Sequence, residues 1–260
     1  MSVRNYTFGD TDEASSRLRH LAVLYEPETR ALLERSPIRS PHVAIDLGCG
    51  PGWSTVLVRE ILEPRRTIGL DASERFILEA RRNHGPELEF HVRDVIHAPF
   101  PVANPDVLFC RFLLTHIAPP GDALAAWAKG AAPGAILFIH ETESLQAENP
   151  AIHRYYELVG LLQEHYGQAL YIGGLLEAFL ERSGWNILES ERIMLDKPAR
   201  KMTELHLSNL RTWRNDEYAK KAFNPAEIDE LQRSLADIVS GKTNAGIVVN
   251  VARQIVARRA

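Results

Sequence analysis

The residues best placed to do chemistry lie in the first half of the chain. Asp46-Leu47-Gly48-Cys49-Gly50-Pro51-Gly52 sets an acid and three glycines between a short apolar run and a helical pattern. Glycine allows turns closed to other residues and lets a ligand approach where a Cβ would clash. Two more acids follow later apolar runs: Asp71 after Thr67-Ile68-Gly69-Leu70, and Asp94 after Leu88-Glu89-Phe90-His91-Val92. An ionised carboxylate accepts hydrogen bonds at two oxygens, which suits the paired hydroxyls of a ribose. Acids at three strand ends describe one crevice along the carboxyl edge of a parallel sheet.

The spacing excludes two common nucleotide sites. No Lys-Ser or Lys-Thr follows the glycines, so this is not a triphosphate loop. The third glycine comes two residues after the second, against the dinucleotide fingerprint, and Asp46 stands just before the first. This spacing counts against a nicotinamide-dependent oxidoreductase. An aspartate there repels a pyrophosphate and favours the cationic end of an amino acid or a sulfonium.

A second set of polar side chains follows a fourth apolar run. Arg111 is suited to pair with a carboxylate, and Phe112 and His116 lie on the same loop. His116 titrates near neutrality when unperturbed and is a candidate base, although a packed histidine on a helix is the favoured reading. His140 and Glu141 end the fifth run at the same crevice edge, where His140 is a second candidate catalytic residue and both are candidate substrate contacts. Among later aromatics, Tyr156, Tyr171 and Trp213 are candidates to line a pocket. Cys49 and Cys110, the only two cysteines, read as small buried side chains; they make no disulfide framework, and no metal site is expected.

These residues need a sheet to position them. Apolar runs at 43–47, 67–71, 88–92, 106–110 and 135–139 read as strands, and helical patterns at 54–62, 73–82 and 124–131 alternate with them. Such alternation means a parallel sheet with helices on both faces. Before it, Leu18, Leu21, Ala22 and Tyr25 recur at helical spacing, with a second short helix at 29–33. After it, helical stripes at 150–166, 175–180 and 199–240 surround strands at 187–195 and 246–251. Asn224-Pro225-Ala226-Glu227 is a helix start, with Asn as cap and Pro in the first turn. One domain over 1–260 is expected, with a helical cover at 1–36, a core at 37–141, and helical lid insertions at 142–172 and 196–243.

Composition fits a globular protein. The 260 residues are 45% hydrophobic and 25% charged, with 30 basic and 34 acidic side chains and a net charge of -4. That balance argues against a nucleic-acid binder, which needs a concentrated basic face. Lys197, Arg200 and Lys201 read as a solvated face. No apolar stretch is long enough to span a bilayer, and the N-terminus has no secretory core, so a cytoplasmic protein is expected.

The glycine segment, with Gly69-Leu70-Asp71-Ala72-Ser73 and Arg93-Asp94-Val95 behind it, resembles the class I S-adenosylmethionine-dependent methyltransferases of the small-molecule type. The resemblance covers about residues 40–140. It extends more weakly to Tyr6 and Arg17-Leu18 and to Gly184-Trp185. It implies an α/β, doubly wound, seven-stranded Rossmann-like sheet with an antiparallel last strand. It also implies S-adenosylmethionine as cofactor, held at Gly48, Cys49 and Gly50. Asp71 would take the ribose, Asp94 would lie near adenine between Ala72 and Val95, and Asp46 would lie near the methionine end. Tyr6, Arg17 and Arg111 would complete the site, with Phe112, His116, Glu141, Tyr156, Tyr171 and Trp213 around the methyl acceptor. The family's proline-aromatic tetrad for amide or base nitrogen is absent, which favours a small-molecule acceptor. A monomer or homodimer is expected. A non-catalytic, methyltransferase-like binding subunit is the alternative from another class.

Overall fold

Val43–Leu47 is buried at every residue and forms the first strand, β1. Its side chains alternate between two cores, as the period of a strand requires. Val43, Ile45 and Leu47 face one core, with Leu108, Cys110 and Trp127; Ala44 faces the other, with Phe109, Phe138 and Leu57. The computed structural model describes residues 9, 11–96 and 99–260. Two helices, α1 (Asp12–Leu24) and α2 (Glu26–Glu34), precede β1. Then come α3 (Trp53–Leu62), β2 (Arg66–Asp71), α4 (Glu74–Asn83), β3 (Leu88–Val92), β4 (Val107–Arg111) and α5 (Pro120–Gly130). The later elements are β5 (Ile136–Ala147), α6 (Pro150–His165), α7 (Leu176–Glu181), β6 (Trp185–Pro198), α8 (Ala199–Trp213), α9 (Glu217–Ala222), α10 (Pro225–Ser240) and β7 (Ile247–Arg259).

One sheet holds all seven strands in the order β3-β2-β1-β4-β5-β7-β6. β1 to β5 are parallel neighbours, and β7 runs antiparallel to both β5 and β6. The strand order reverses between β1 and β4, so the crevice opens beyond their carboxyl ends. The antiparallel last strand is as the resemblance implies.

Several local signals hold. Ser73 caps α4, its hydroxyl accepting from the Phe76 N–H at 3.2 Å. Asn224 caps α10 through the Ala226 N–H, with Pro225 in the first turn. The late strands are longer than their apolar runs. β5 continues to Ala147, so the start of the expected helical insertion at 142–172 is strand, and β6 reaches Pro198. The extension Thr142-Glu143-Ser144-Leu145-Gln146-Ala147 is only partly buried, and its partner β7 is thirteen residues long. Backbone pairing with β7, not apolar burial, holds it in the sheet, across a bulge between Thr142 and Ser144.

The helices of the two insertions meet. α6, α8 and α10 bury a shared apolar cluster with Tyr25 of the N-terminal region, including Tyr155, Leu162, Leu210, Trp213 and Leu235. Lys197 is the exception to the expected solvated basic face. Its ammonium is buried, 2.8 Å from Glu28 Oε1 and 2.8 Å from the Leu24 carbonyl, and lies 4.7 Å from the Tyr25 ring centre. No helix of the described residues is long and apolar enough to cross a membrane.

Candidate active site at the carboxyl edge of the sheet

The glycine turn runs directly off β1. Gly48, Gly50 and Gly52 have φ of 68°, 53° and 89°, the left-handed region that favours glycine. A Cβ built on Gly48 would stand 2.6 Å from Leu113 Cδ1, and one on Gly50 would stand 3.3 Å from Leu18 Cδ1. Leu113 of the loop after β4 and Leu18 of α1 therefore press on the turn from two sides. Leu18 reads from sequence as part of a helical stripe; the contact of Leu113 with Gly48 has no signal there.

Asp71 ties the turn to the second strand. Its Oδ2 accepts the Gly50 N–H at 2.9 Å, and its Oδ1 accepts the Ser73 N–H at 2.8 Å. Ala72 beside it is exposed. Asp94 lies two residues past β3 and is exposed, its Oδ1 accepting the Ile96 N–H at 2.9 Å. Val95 packs into the main core, and its carbonyl accepts the Trp127 indole N–H at 2.7 Å. Cys49 turns its side chain away from the crevice, among Ile77, Ala80 and Phe90. Only its backbone is left for a ligand.

Asp46 sits beneath the turn. Its Oδ2 accepts the hydroxyls of Ser54 and Thr55, each at 2.7 Å, at the start of α3. Burial raises its pKa to about 6, and the two hydroxyls oppose that rise. It anchors the helix to the turn, a role the sequence reading did not assign. Arg111 is likewise turned inward: its Nη1 donates to Thr29 Oγ1 at 2.6 Å, and burial lowers its pKa to about 10, opposed chiefly by Asp46.

The loop after β4 is braced from below. Phe112 has a φ of 52°, rare for an aromatic residue, and its N–H donates to the His140 carbonyl at 3.0 Å. Glu141 Oε1 accepts the N–H groups of both Leu113 and Leu114 at 2.7 Å. Glu141 has no exposed surface, and burial raises its pKa to about 8. Read from sequence as an acceptor contact, Glu141 is instead the brace of this loop. His140 is also fully buried, against the Tyr25 and Phe112 rings, with its Nδ1 3.3 Å from Gln254 Nε2. Burial lowers its pKa to about 3, so it is neutral and cut off from the crevice.

His116 is partly buried at the end of a short 3-10 turn, Leu114–His116. Burial, then the charge of Arg17, lowers its pKa to about 3. Arg17 is itself buried on α1. Tyr156 and Trp213 lie inside the cluster shared by α6, α8 and α10, where the Tyr156 hydroxyl is 2.7 Å from His206 Nε2 and Trp213 is 1% exposed. Their placement there makes them part of that core and not an open pocket wall. Tyr171 is 38% exposed. Tyr6 lies outside the described residues.

Comparison with known proteins agrees with this fold. Residues 44–134 match the methyltransferase domain family. A trans-aconitate 2-methyltransferase from Methylobacterium nodulans is 33% identical over 123 residues, which is 47% of this chain and 47% of that protein. This chain thus spans about half the length of the curated relative it matches. Among solved structures, phosphoethanolamine N-methyltransferase 2 from Haemonchus contortus, in complex with S-adenosyl-L-methionine, aligns with a TM-score of 0.55 at 15% identity, covering 90% of this chain and 52% of that one. A cyclopropane synthase from Mycobacterium tuberculosis aligns with a TM-score of 0.57 at 13% identity, covering 90% and 84%.

Proposed function

We propose that this chain is a class I S-adenosylmethionine-dependent methyltransferase, and that it moves a methyl group onto an oxygen, nitrogen, carbon or sulfur of a small metabolite. The observation that carries the reading is the bond between Gly50 and Asp71, which holds a glycine turn and an acid as one surface at the switch point of the sheet. The residues fit S-adenosylmethionine. Left-handed glycines leave backbone where a Cβ would collide with Leu113 or Leu18, and Asp71 sets a carboxylate, the group that suits paired ribose hydroxyls, at the end of β2 beside that turn.

On this reading Gly48, Gly50 and the Cys49 backbone line the cofactor, with Asp71 on the ribose. Asp94, Ala72 and the Val95 backbone border the adenine. Arg17 and His116 face the methionine end and the acceptor. Bound there, the cofactor supplies a sulfonium methyl already activated by its positive charge. The chain's part is then orientation and exclusion of water. Orientation alone can contribute roughly 7–11 kcal/mol. Leu18, Leu113 and the lid helices supply the walls. His116, with a pKa near 3, is neutral at physiological pH and a weak base. The reading therefore favours an acceptor atom that is nucleophilic without help from a strong base.

Isothermal calorimetry with S-adenosylmethionine, followed by methyl-transfer assays on a metabolite panel that includes trans-aconitate, tests the proposal. Cofactor binding and one methylated product are expected. A folded chain that binds no S-adenosylmethionine overturns it.

A further inference from the structure

β6 is an outer strand of the sheet and pairs only with β7. From Glu189 to Lys197 its register is unbroken, since its bulge lies between Ile187 and Glu189. Among the described residues, the backbone of this stretch bonds to no element but β7. Such an edge offers a row of N–H and C=O groups to a further strand. Its charges would ordinarily guard it, yet Met194 in its midst is 68% exposed, more than any other large apolar side chain among the described residues.

Contacts fix the two faces of the strand. Arg192 donates to Glu143 Oε1 at 2.7 Å on one face, and Lys197 meets Glu28 on the other. Side chains alternate along a strand, so Arg192, Met194 and Asp196 share the first face. Ile193 and Leu195 share the second, where Leu195 packs against the cluster of α6, α8 and α10.

Opposed residues of an antiparallel pair lie on the same face. Two identical strands related by a two-fold axis therefore set one residue opposite its own copy, and that residue fixes every other pair. Centred on Ser190, the pairing opposes Glu189 to Glu191; centred on Glu191 or Arg192, it opposes a charge to itself. Centred on Ile193 or Leu195, it sets Met194 against Arg192 or Asp196. Centred on Met194, it sets methionine on methionine, Ile193 on Leu195 twice, and Arg192 on Asp196 twice. Asp196 is exposed and joins no ion pair among the described residues. Arg192 keeps 53% of its side chain exposed beside Glu143, and its guanidinium has donors to spare.

We propose that β6 pairs with β6 of a second copy of this chain, antiparallel and centred on Met194, so that the two sheets join into one. The paired stretch 191–197 is short against the roughly 20–30 residues a side of a standard interface, so the dimer should dissociate on dilution. β6 lies four strand steps from β1, roughly 19 Å at about 4.8 Å a step, so pairing leaves the glycine turn untouched. The inference stands apart from the methyltransferase reading.

Sedimentation velocity on the full chain over a dilution series should show monomer and dimer in exchange. Asp196→Arg opposes arginine to Arg192 twice, and Arg192→Asp opposes aspartate to Asp196 twice; each should weaken the dimer at least tenfold. An equimolar mixture of these two variants restores both ion pairs and should recover a dimer that neither forms alone. Opposed residues have Cα atoms about 4.5–5.5 Å apart, within reach of a disulfide. Met194→Cys should therefore cross-link two copies on mild oxidation, and Leu188→Cys, exposed on the same strand but off the axis, should not. Both native cysteines are buried. Asp196→Arg and Met194→Cys, at exposed positions, should melt with the parent. A parent that stays monomeric leaves the edge to another protein or to none and overturns the proposal. So does a dimer indifferent to Asp196→Arg, or equal cross-linking through Leu188→Cys. Calorimetry with S-adenosylmethionine is run separately, and a parent that binds none ends the methyltransferase reading while the dimer result stands.

Discussion

Asp71 accepts the backbone N–H of Gly50 at 2.9 Å, so the acid ending β2 and the turn leaving β1 move as one body. If that carboxylate also holds a ribose, its loss removes charge-assisted hydrogen bonds worth about 1.5–3 kcal/mol each. Asp71→Ala should bind S-adenosylmethionine at least about tenfold more weakly, since about 1.4 kcal/mol is a factor of ten. Asp71→Asn, which keeps an acceptor for the Gly50 N–H, should fold normally and still bind more weakly. Normal affinity in a folded Asp71→Ala protein, measured by calorimetry, would remove Asp71 from the site.

Gly50 is constrained twice, by a φ of 53° and by Leu18 3.3 Å from where its Cβ would stand. Gly50→Val forces a β-branched residue into a left-handed turn, a strain of about 1–3 kcal/mol. It should abolish cofactor binding while the sheet still unfolds cooperatively in urea. Adding Leu18→Ala relieves the contact but not the φ. Restored binding in the double variant would show that the clash with α1, not the turn, is what matters.

Much of this arrangement was legible in the sequence, for a physical reason. The proposed cofactor half is built from short-range signals: an apolar run, glycines where φ is positive, an acid at a strand end. Each is local, so Gly48, Gly50 and Asp71 could be placed from residue type and spacing. The acceptor half depends on which lid helices meet. Trp213 reads as a pocket aromatic until α6 and α10 are seen to enclose it. Lys197 reads as a surface cation until β6 is seen to reach Pro198 and carry it under Tyr25.

Glu141 should leave a pH signature. Its pKa rises from 4.5 to about 8 because burial penalises the charged form. Between those values the unfolded chain has lost this proton and the folded chain retains it. Folding stability due to Glu141 is therefore present at low pH and lost as pH climbs toward 8. His140 and His206, both lowered to about 3 by burial, act oppositely, adding stability as pH rises from about 3 to 6.5. Above 6.5 those two histidines contribute no slope, and Glu141 remains. Urea unfolding from pH 6.5 to 8 should show declining stability in the parent and a flatter profile in Glu141→Gln, whose amide oxygen can still accept from Leu113 and Leu114. An equal decline in both would assign the slope elsewhere.

The Lys197–Glu28 pair joins the N-terminal helices to the last third of the chain, with both side chains largely removed from water. Taking two charges out of water is costly, and their attraction offsets the cost only while both are present. Lys197→Met should leave Glu28 buried and uncompensated, beside an Oε2 that already has no partner among the described residues. A loss of about 3–5 kcal/mol is expected for such a broken pair. Glu28→Gln added to Lys197→Met removes the stranded charge and should recover most of that loss, giving a large coupling in a double-mutant cycle of urea unfolding. The recovery should come without a change in S-adenosylmethionine affinity, because Lys197 lies beyond β5, away from the turn at Gly48 to Gly52. Additive losses in the cycle would mean that Lys197 acts through its carbonyl bond to Leu24 and its contact with the Tyr25 ring, and that the ion pair contributes nothing of its own.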